Sequence, residues 1–183
     1  MIYKIQLYIL SLWLLFLLIP LQEFELTWKS NLEFNENIRN QIEGNILTVI
    51  SVVMLIIGAF SYKRFFYITK GSKKLPKEIV KIENQNYEHL TFLTTYIIPF
   101  ICFEFDEIRK VIILIVLLFL IGAIYVRTHL FYANPTLALL GYHLYKVNTV
   151  NDEGLIFISR SQLKKGDNVH HIHLGDNIYF VKL

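Results

Sequence analysis

The chain has 183 residues, 54% of them hydrophobic and only 18% charged, with a mean hydropathy of +0.44. Those values exclude an ordinary water-exposed domain of this size and place the chain in the membrane class. The single cysteine, Cys102, excludes an intrachain disulfide framework and a multi-cysteine metal centre, and a net charge of +3 is too small to argue for nucleic acid.

The first apolar run, residues 5–21, holds seventeen residues without a charge, roughly 25 Å of helix at about 1.5 Å per residue. Lys4 gives it the basic flank of a signal peptide. The following Ile19-Pro20-Leu21-Gln22-Glu23 lacks the small residues of a cleavage site, which favours an uncleaved anchor. Residues 22–44 form a polar, acidic loop with Glu23, Glu25, Glu33, Glu36 and Glu43 against Lys29 and Arg39, and Trp28 suits a membrane interface. A second run, 46–60, is nearly all aliphatic and leads into an aromatic belt of Tyr62, Phe65, Phe66 and Tyr67.

From residue 63 to residue 81 there are seven basic residues, Lys63, Arg64, Lys70, Lys73, Lys74, Lys77 and Lys81, against one acid, Glu78. Gly71 and Pro76 act as breakers, so the segment reads as a basic loop. The positive-inside rule makes it cytoplasmic, with the acidic loop outside and the N-terminus inside. The third run, 90–103, is only fourteen residues long and contains Pro99. Extended to 88–105 it crosses the bilayer; otherwise it is re-entrant or interfacial, and the C-terminal region moves to the other face. A crossing puts the short connection from Glu104 to Lys110 outside. The fourth run, 111–126, is unambiguous, and Arg127 at its end favours an inside terminus.

Beyond it, Asn134-Pro135 is a helix-starting pair, one or two turns reach Leu139 or Leu140, and Gly141 ends them. The period then becomes two. Residues 142–147 and 155–160 read as a hairpin around Asn151-Asp152-Glu153-Gly154, and Gly166-Asp167-Asn168 and Gly175-Asp176-Asn177 mark further turns before 169–174 and 178–183. The expected fold is an α-helical membrane protein. Residues 1–127 carry four transmembrane helices at about 5–21, 46–62, 88–105 and 111–126, and residues 128–183 form a small cytoplasmic β-rich domain, SH3-like or an open barrel.

Chemistry is sparse. His170, His171 and His173 are tempting as metal ligands, but no carboxylate or thiolate stands at a supporting spacing, so no metal or other cofactor is expected. Ser159 and Ser161 lack a glycine elbow and a base, so no catalytic residue is assigned and an enzyme is not expected. The spans hold no charge, so one chain has no ion path; Thr48, Ser51, Thr94 and Thr95 either line a pore of several chains or pack helices. The residues left as candidate contacts for membrane lipids or a partner protein are Lys63, Arg64, Lys70, Lys73, Lys74, Lys77, Arg160, Lys164 and Lys165.

Residues 134–147, NPTLALLGYHLYKV, and residues 156–167, IFISRSQLKKGD, resemble the KwaA family, the membrane subunits of the Kiwa anti-phage system. The sharp similarity covers residues 134–183, while length and four-span layout agree over the whole chain. The resemblance implies a non-enzymatic bacterial inner-membrane component that forms a homo-oligomer and detects phage infection at the envelope. It also implies a cytosolic DNA-binding effector partner, KwaB, and no direct nucleic-acid contact by this chain. A sensor and scaffold is therefore the leading functional expectation. The alternative from another class is a small oligomeric channel or membrane-permeabilising effector.

Overall fold

The computed structural model describes residues 2–27, 33–71, 75–102, 108–128, 130, 132–175 and 177–183. Trp28, Lys29, Lys73, Lys74, Glu104 and Asp176 lie outside them, as does the side chain of Cys102. Seven helices and five strands are described: α1 (Ile2–Ser11), α2 (Trp13–Glu23), α3 (Phe34–Gly44), α4 (Ile46–Ile68), β1 (Lys77–Asn84), α5 (Tyr87–Cys102), α6 (Ile108–Arg127), α7 (Pro135–Leu139), β2 (His143–Thr149), β3 (Leu155–Ser159), β4 (Asn168–Gly175) and β5 (Ile178–Lys182).

Of the four expected spans, two are single helices long and apolar enough to cross a bilayer, α4 with 23 residues and α6 with 20. The first run is a pair, α1 and α2, bent by 41° at Leu12. The third is α5, whose 16 residues reach about 24 Å, short of the roughly 30 Å hydrocarbon core. Side chains from distant elements close the gap at the break. Tyr96 on α5 donates its hydroxyl to the Ser11 carbonyl at 3.0 Å. Asn134 Nδ2 donates to the Leu7 carbonyl at 3.0 Å, and Thr136 Oγ1 to the Leu10 carbonyl at 2.7 Å. An apolar module tolerates a broken helix only where such donors meet the backbone around the break.

The α4 face that packs on α1 and α2 carries small or hydroxyl residues, Thr48, Ser51, Gly58 and Ser61, while Ile50, Val53, Ile57 and Phe60 are exposed. A Cβ on Gly58 would stand 2.6 Å from Trp13 Nε1, so glycine is what admits the indole that donates to the Leu55 carbonyl at 2.8 Å. Thr48 and Ser51 are buried on that packing face; Thr94 and Thr95 bond the carbonyls of Thr91 and Phe92 on their own helix.

The acidic 22–44 segment, expected to be a loop, contains α3. Its signal was a period-four apolar stripe, Phe34, Ile38 and Ile42, set among acids. The stripe remains exposed, and α3 is tied to the preceding chain through Gln41 Nε2 donating to the Glu25 carbonyl at 2.7 Å.

The C-terminal strands also depart from expectation. They form neither an open barrel nor one made from residues 128–183 alone, because β1 closes the sheet in the order β1-β2-β3-β5-β4. β1 pairs antiparallel with β2 (Ile82 opposite Val147) and with β4 (Lys77 opposite Val169), the two edges that four strands would have left unpaired. β3 and β5 run parallel, with Phe157 opposite Tyr179. This is the Greek-key connectivity of OB-type barrels rather than an SH3-like one. The basic segment 63–81 hides the first half of β1, because Ile79 is the strand's only fully buried side chain, flanked by Lys77, Glu78 and Lys81.

The turns follow the sequence closely. Gly154 between β2 and β3 has φ +67° and Gly166 before β4 has φ +89°, values that favour glycine. Inside the barrel lie Ile79, Val147, Leu155, Phe157, Val169 and Val181. Leu144, Ile158, Ile178 and Phe180 instead join one continuous core with the helices.

Candidate functional site at the junction of helices and barrel

The connection from β1 to β2 is not a turn but a helical hairpin, α5 and α6, followed by α7. Where the chain leaves and re-enters the barrel, Asn86 accepts the Leu144 N–H at 2.7 Å, and the Gln85 N–H donates to the Leu144 carbonyl at 2.9 Å. Asn134 caps α7 by accepting the Leu137 N–H at 3.2 Å, and its own N–H donates to Nδ1 of buried His89 on α5 at 3.0 Å. The helices and the barrel therefore share backbone-anchored contacts at both ends of the insertion.

A second seam lies at the end of α4. Phe65, fully buried, meets Tyr142 with ring centres 5.6 Å apart and Phe180 at 6.2 Å, each edge to face. Arg160, just past β3, donates from its guanidinium to the Tyr62 hydroxyl at 3.2 Å and stacks 4.7 Å over the Tyr142 ring. Burial pushes the Tyr142 phenol up to about 12, and its hydrogen bond with Tyr62 acts in the same direction. It stays neutral at physiological pH and Arg160 supplies the local charge.

The structure brings some of the expected contact residues together and separates others. Lys63 and Arg64 sit in the last turns of α4 and Lys70 just past its end; Arg64 donates to Gln6 at 2.9 Å and Lys70 lies 4.5 Å over the Phe66 ring. Lys77 belongs to the barrel, ion-paired with Asp152 at 2.6 Å and 5.1 Å from the Tyr179 ring centre. Lys164 and Lys165 are exposed in the β3–β4 connection, where the Lys164 N–H donates to Asp167 at 2.7 Å. Lys73 and Lys74 lie outside the described residues. Sequence reasoning missed Lys182, 5.4 Å over Phe180, and the part played by Tyr62 and Tyr142. Their signal was an aromatic beside a cation at each end of the seam.

Polar depressions mark the barrel surface among the described residues. One, of about 450 Å³, is lined by Asn84, Asn86, His143, Tyr145, Gln162 and Lys164 among others. The second, of about 330 Å³, lies around the 2.7 Å Lys81–Glu83 ion pair, which raises the lysine and lowers the carboxyl relative to their ordinary values. His171 and His173 both lean on Tyr179, with ring centres 5.4 and 5.1 Å away. Among the described residues, no three His, Cys, Asp or Glu side chains gather around one point as metal ligands would.

Comparison with known proteins bears on what this junction serves. No solved structure matches the chain. The Kiwa protein KwaA of Escherichia coli O55:H7 (strain RM12579 / EPEC) is 34% identical over 186 residues, covering 98% of this chain and 95% of that protein. The family described as anti-phage protein KwaA matches residues 3–180, which takes in helices, inserted hairpin and barrel alike. With the match running through every element of the fold, the chain belongs to the KwaA family of anti-phage proteins.

Proposed function

We propose that this chain is the membrane-embedded sensor and scaffold of a Kiwa anti-phage system, without enzymatic activity. In this reading it forms a homo-oligomer in the bacterial inner membrane and docks a cytosolic effector resembling KwaB on its barrel. The carrying observation is that the apolar helical hairpin is inserted inside the barrel, between β1 and β2. Any displacement of α5 and α6 therefore acts on β1, the strand that closes the barrel, and on its neighbour β2.

The membrane assignment rests on solvent preference. α4 and α6 are apolar almost throughout yet bury only 22% and 17% of their most apolar stretches. In water such faces would associate or aggregate, whereas hydrocarbon satisfies them. The barrel also constrains topology by parity. β1 and β2 occupy one body, so α5 and α6 together cross an even number of times. If α6 crosses, this parity supports a crossing by α5 as well despite its length, with the barrel on the side where α4 ends. The basic end of α4 supports a cytoplasmic side for the barrel, with the exposed stripe of α3 then along the outer interface.

Co-expression with the cytosolic Kiwa partner tests the reading. The full chain is expected to resist alkaline extraction from membranes and to co-elute with the partner in detergent. Lys164→Glu together with Lys165→Glu is expected to weaken that association about tenfold through lost charge complementarity. The membrane potential is expected to stay intact on strong expression. Depolarisation would favour the channel alternative, and a clean monomer without partner would count against docking.

A further inference from the structure

The helical module carries a groove of about 280 Å³ whose walls include Trp13, Leu17, Leu55, Thr136, Leu139 and Leu140. The two wall residues with polar atoms have spent them internally. The Trp13 indole N–H goes to the Leu55 carbonyl and the Thr136 hydroxyl to the Leu10 carbonyl. The groove therefore offers hydrocarbon only, and its rim residues Leu17 and Leu139, 51% and 69% exposed, leave it open sideways. Such a groove lacks the polar anchors that would orient a soluble ligand.

What lies next to it supplies the missing polar end. Tyr62 follows Leu55 by seven residues on α4, so it shares the same helix face about 10 Å further along the axis. Its hydroxyl accepts from Arg160, and Tyr142, two residues beyond Leu140, lies beneath the same guanidinium. Arg160 is exposed and meets no carboxylate among the described residues, and Lys63 stands one position beyond Tyr62. An apolar slot opening sideways under a cation at the basic end of a span matches one kind of molecule: a bilayer lipid whose head carries negative charge.

We propose that the groove and Arg160 form a site for one anionic phospholipid of the cytoplasmic leaflet. Its acyl chain occupies the groove between α2, α4 and α7, and its phosphate meets the guanidinium over Tyr142. The proposal rests on the membrane reading above. It places a lipid against the seam where the end of α4 packs on the barrel, so leaflet composition would bear directly on how the barrel is seated.

The test uses the full chain, purified in a neutral detergent, stripped of lipid, and offered phosphatidylglycerol or phosphatidylcholine, with bound lipid counted by native mass spectrometry. Phosphatidylglycerol is expected to be retained about tenfold better than phosphatidylcholine, and excess inorganic phosphate is expected not to displace it. Arg160→Gln should remove that preference, Arg160→Lys should keep most of it, and Leu139→Trp, which fills the groove, should abolish retention of both lipids. Equal retention of the two lipids by the unaltered chain, or a preference that survives Arg160→Gln, overturns the proposal. A chain that resists alkaline extraction but shows no lipid preference sinks the lipid site alone; one released by alkali sinks the membrane reading itself.

Discussion

Phe65→Ala is expected to separate the barrel from the helices, costing about 3–5 kcal/mol, the range for truncating a fully buried aromatic. Phe65 is 0% exposed and is the apolar side chain of α4 packed edge to face against Tyr142 and Phe180 at the barrel. The neighbouring Phe66, 38% exposed, is the control, and its replacement by alanine should change stability by no more than about 0.5 kcal/mol. Thermal unfolding in detergent should show a lower, broadened transition for Phe65→Ala and an unchanged one for Phe66→Ala. In a phage plaque assay Phe65→Ala should lose protection even at temperatures where the barrel remains folded.

Asn134→Ala is the second large effect, about 2–3 kcal/mol. It removes the α7 cap, worth about 1 kcal/mol, and a buried hydrogen bond to the Leu7 carbonyl worth about as much, and it leaves unfilled volume where Asn134 is 0% exposed. Asn134→Asp separates these contributions. It keeps the acceptor for the Leu137 N–H but loses the donor to Leu7 and buries a carboxylate. If capping dominated, aspartate would be tolerated; if the clamp on the broken first helix dominates, aspartate should be at least as damaging as alanine. Amide hydrogen exchange around residues 7–14 is the direct readout, with faster exchange expected in both variants.

What could be read from the chain and what could not divides along one physical line. Local signals were legible. Asn134-Pro135 and Gly141 bound α7 as expected, and Gly154 marks the β2–β3 hairpin. The long apolar runs appear as helices. Features set by distant partners were not legible. β1 buries a single side chain fully and gains its place from two sheet edges in residues 143–149 and 168–175. The break at Leu12 follows no proline or glycine in its own turn and is met by donors from Tyr96, Asn134 and Thr136.

The candidate site was legible in part for the same reason. Charge counting found Lys63, Arg64 and Lys70, because a basic flank to an apolar run is a local pattern, and Arg160 as a cation among the C-terminal strands. It also gathered Lys77 with them, although that residue is held in the barrel by Asp152. It could not show that Arg160 lies over Tyr142, since the pairing depends on how β3 returns to the end of α4.

The proposed membrane arrangement has β1 and the C-terminal strands in one cytoplasmic barrel, with α5 and α6 passing out through the membrane and back between them. Reporter fusions made after residues 35, 72, 107 and 183 test it most directly, because each connection has a definite side. Alkaline phosphatase activity is expected at 35 and 107 and none at 72 and 183. Opposite sides for 72 and 183 would contradict it, since strands separated by a bilayer cannot close one barrel.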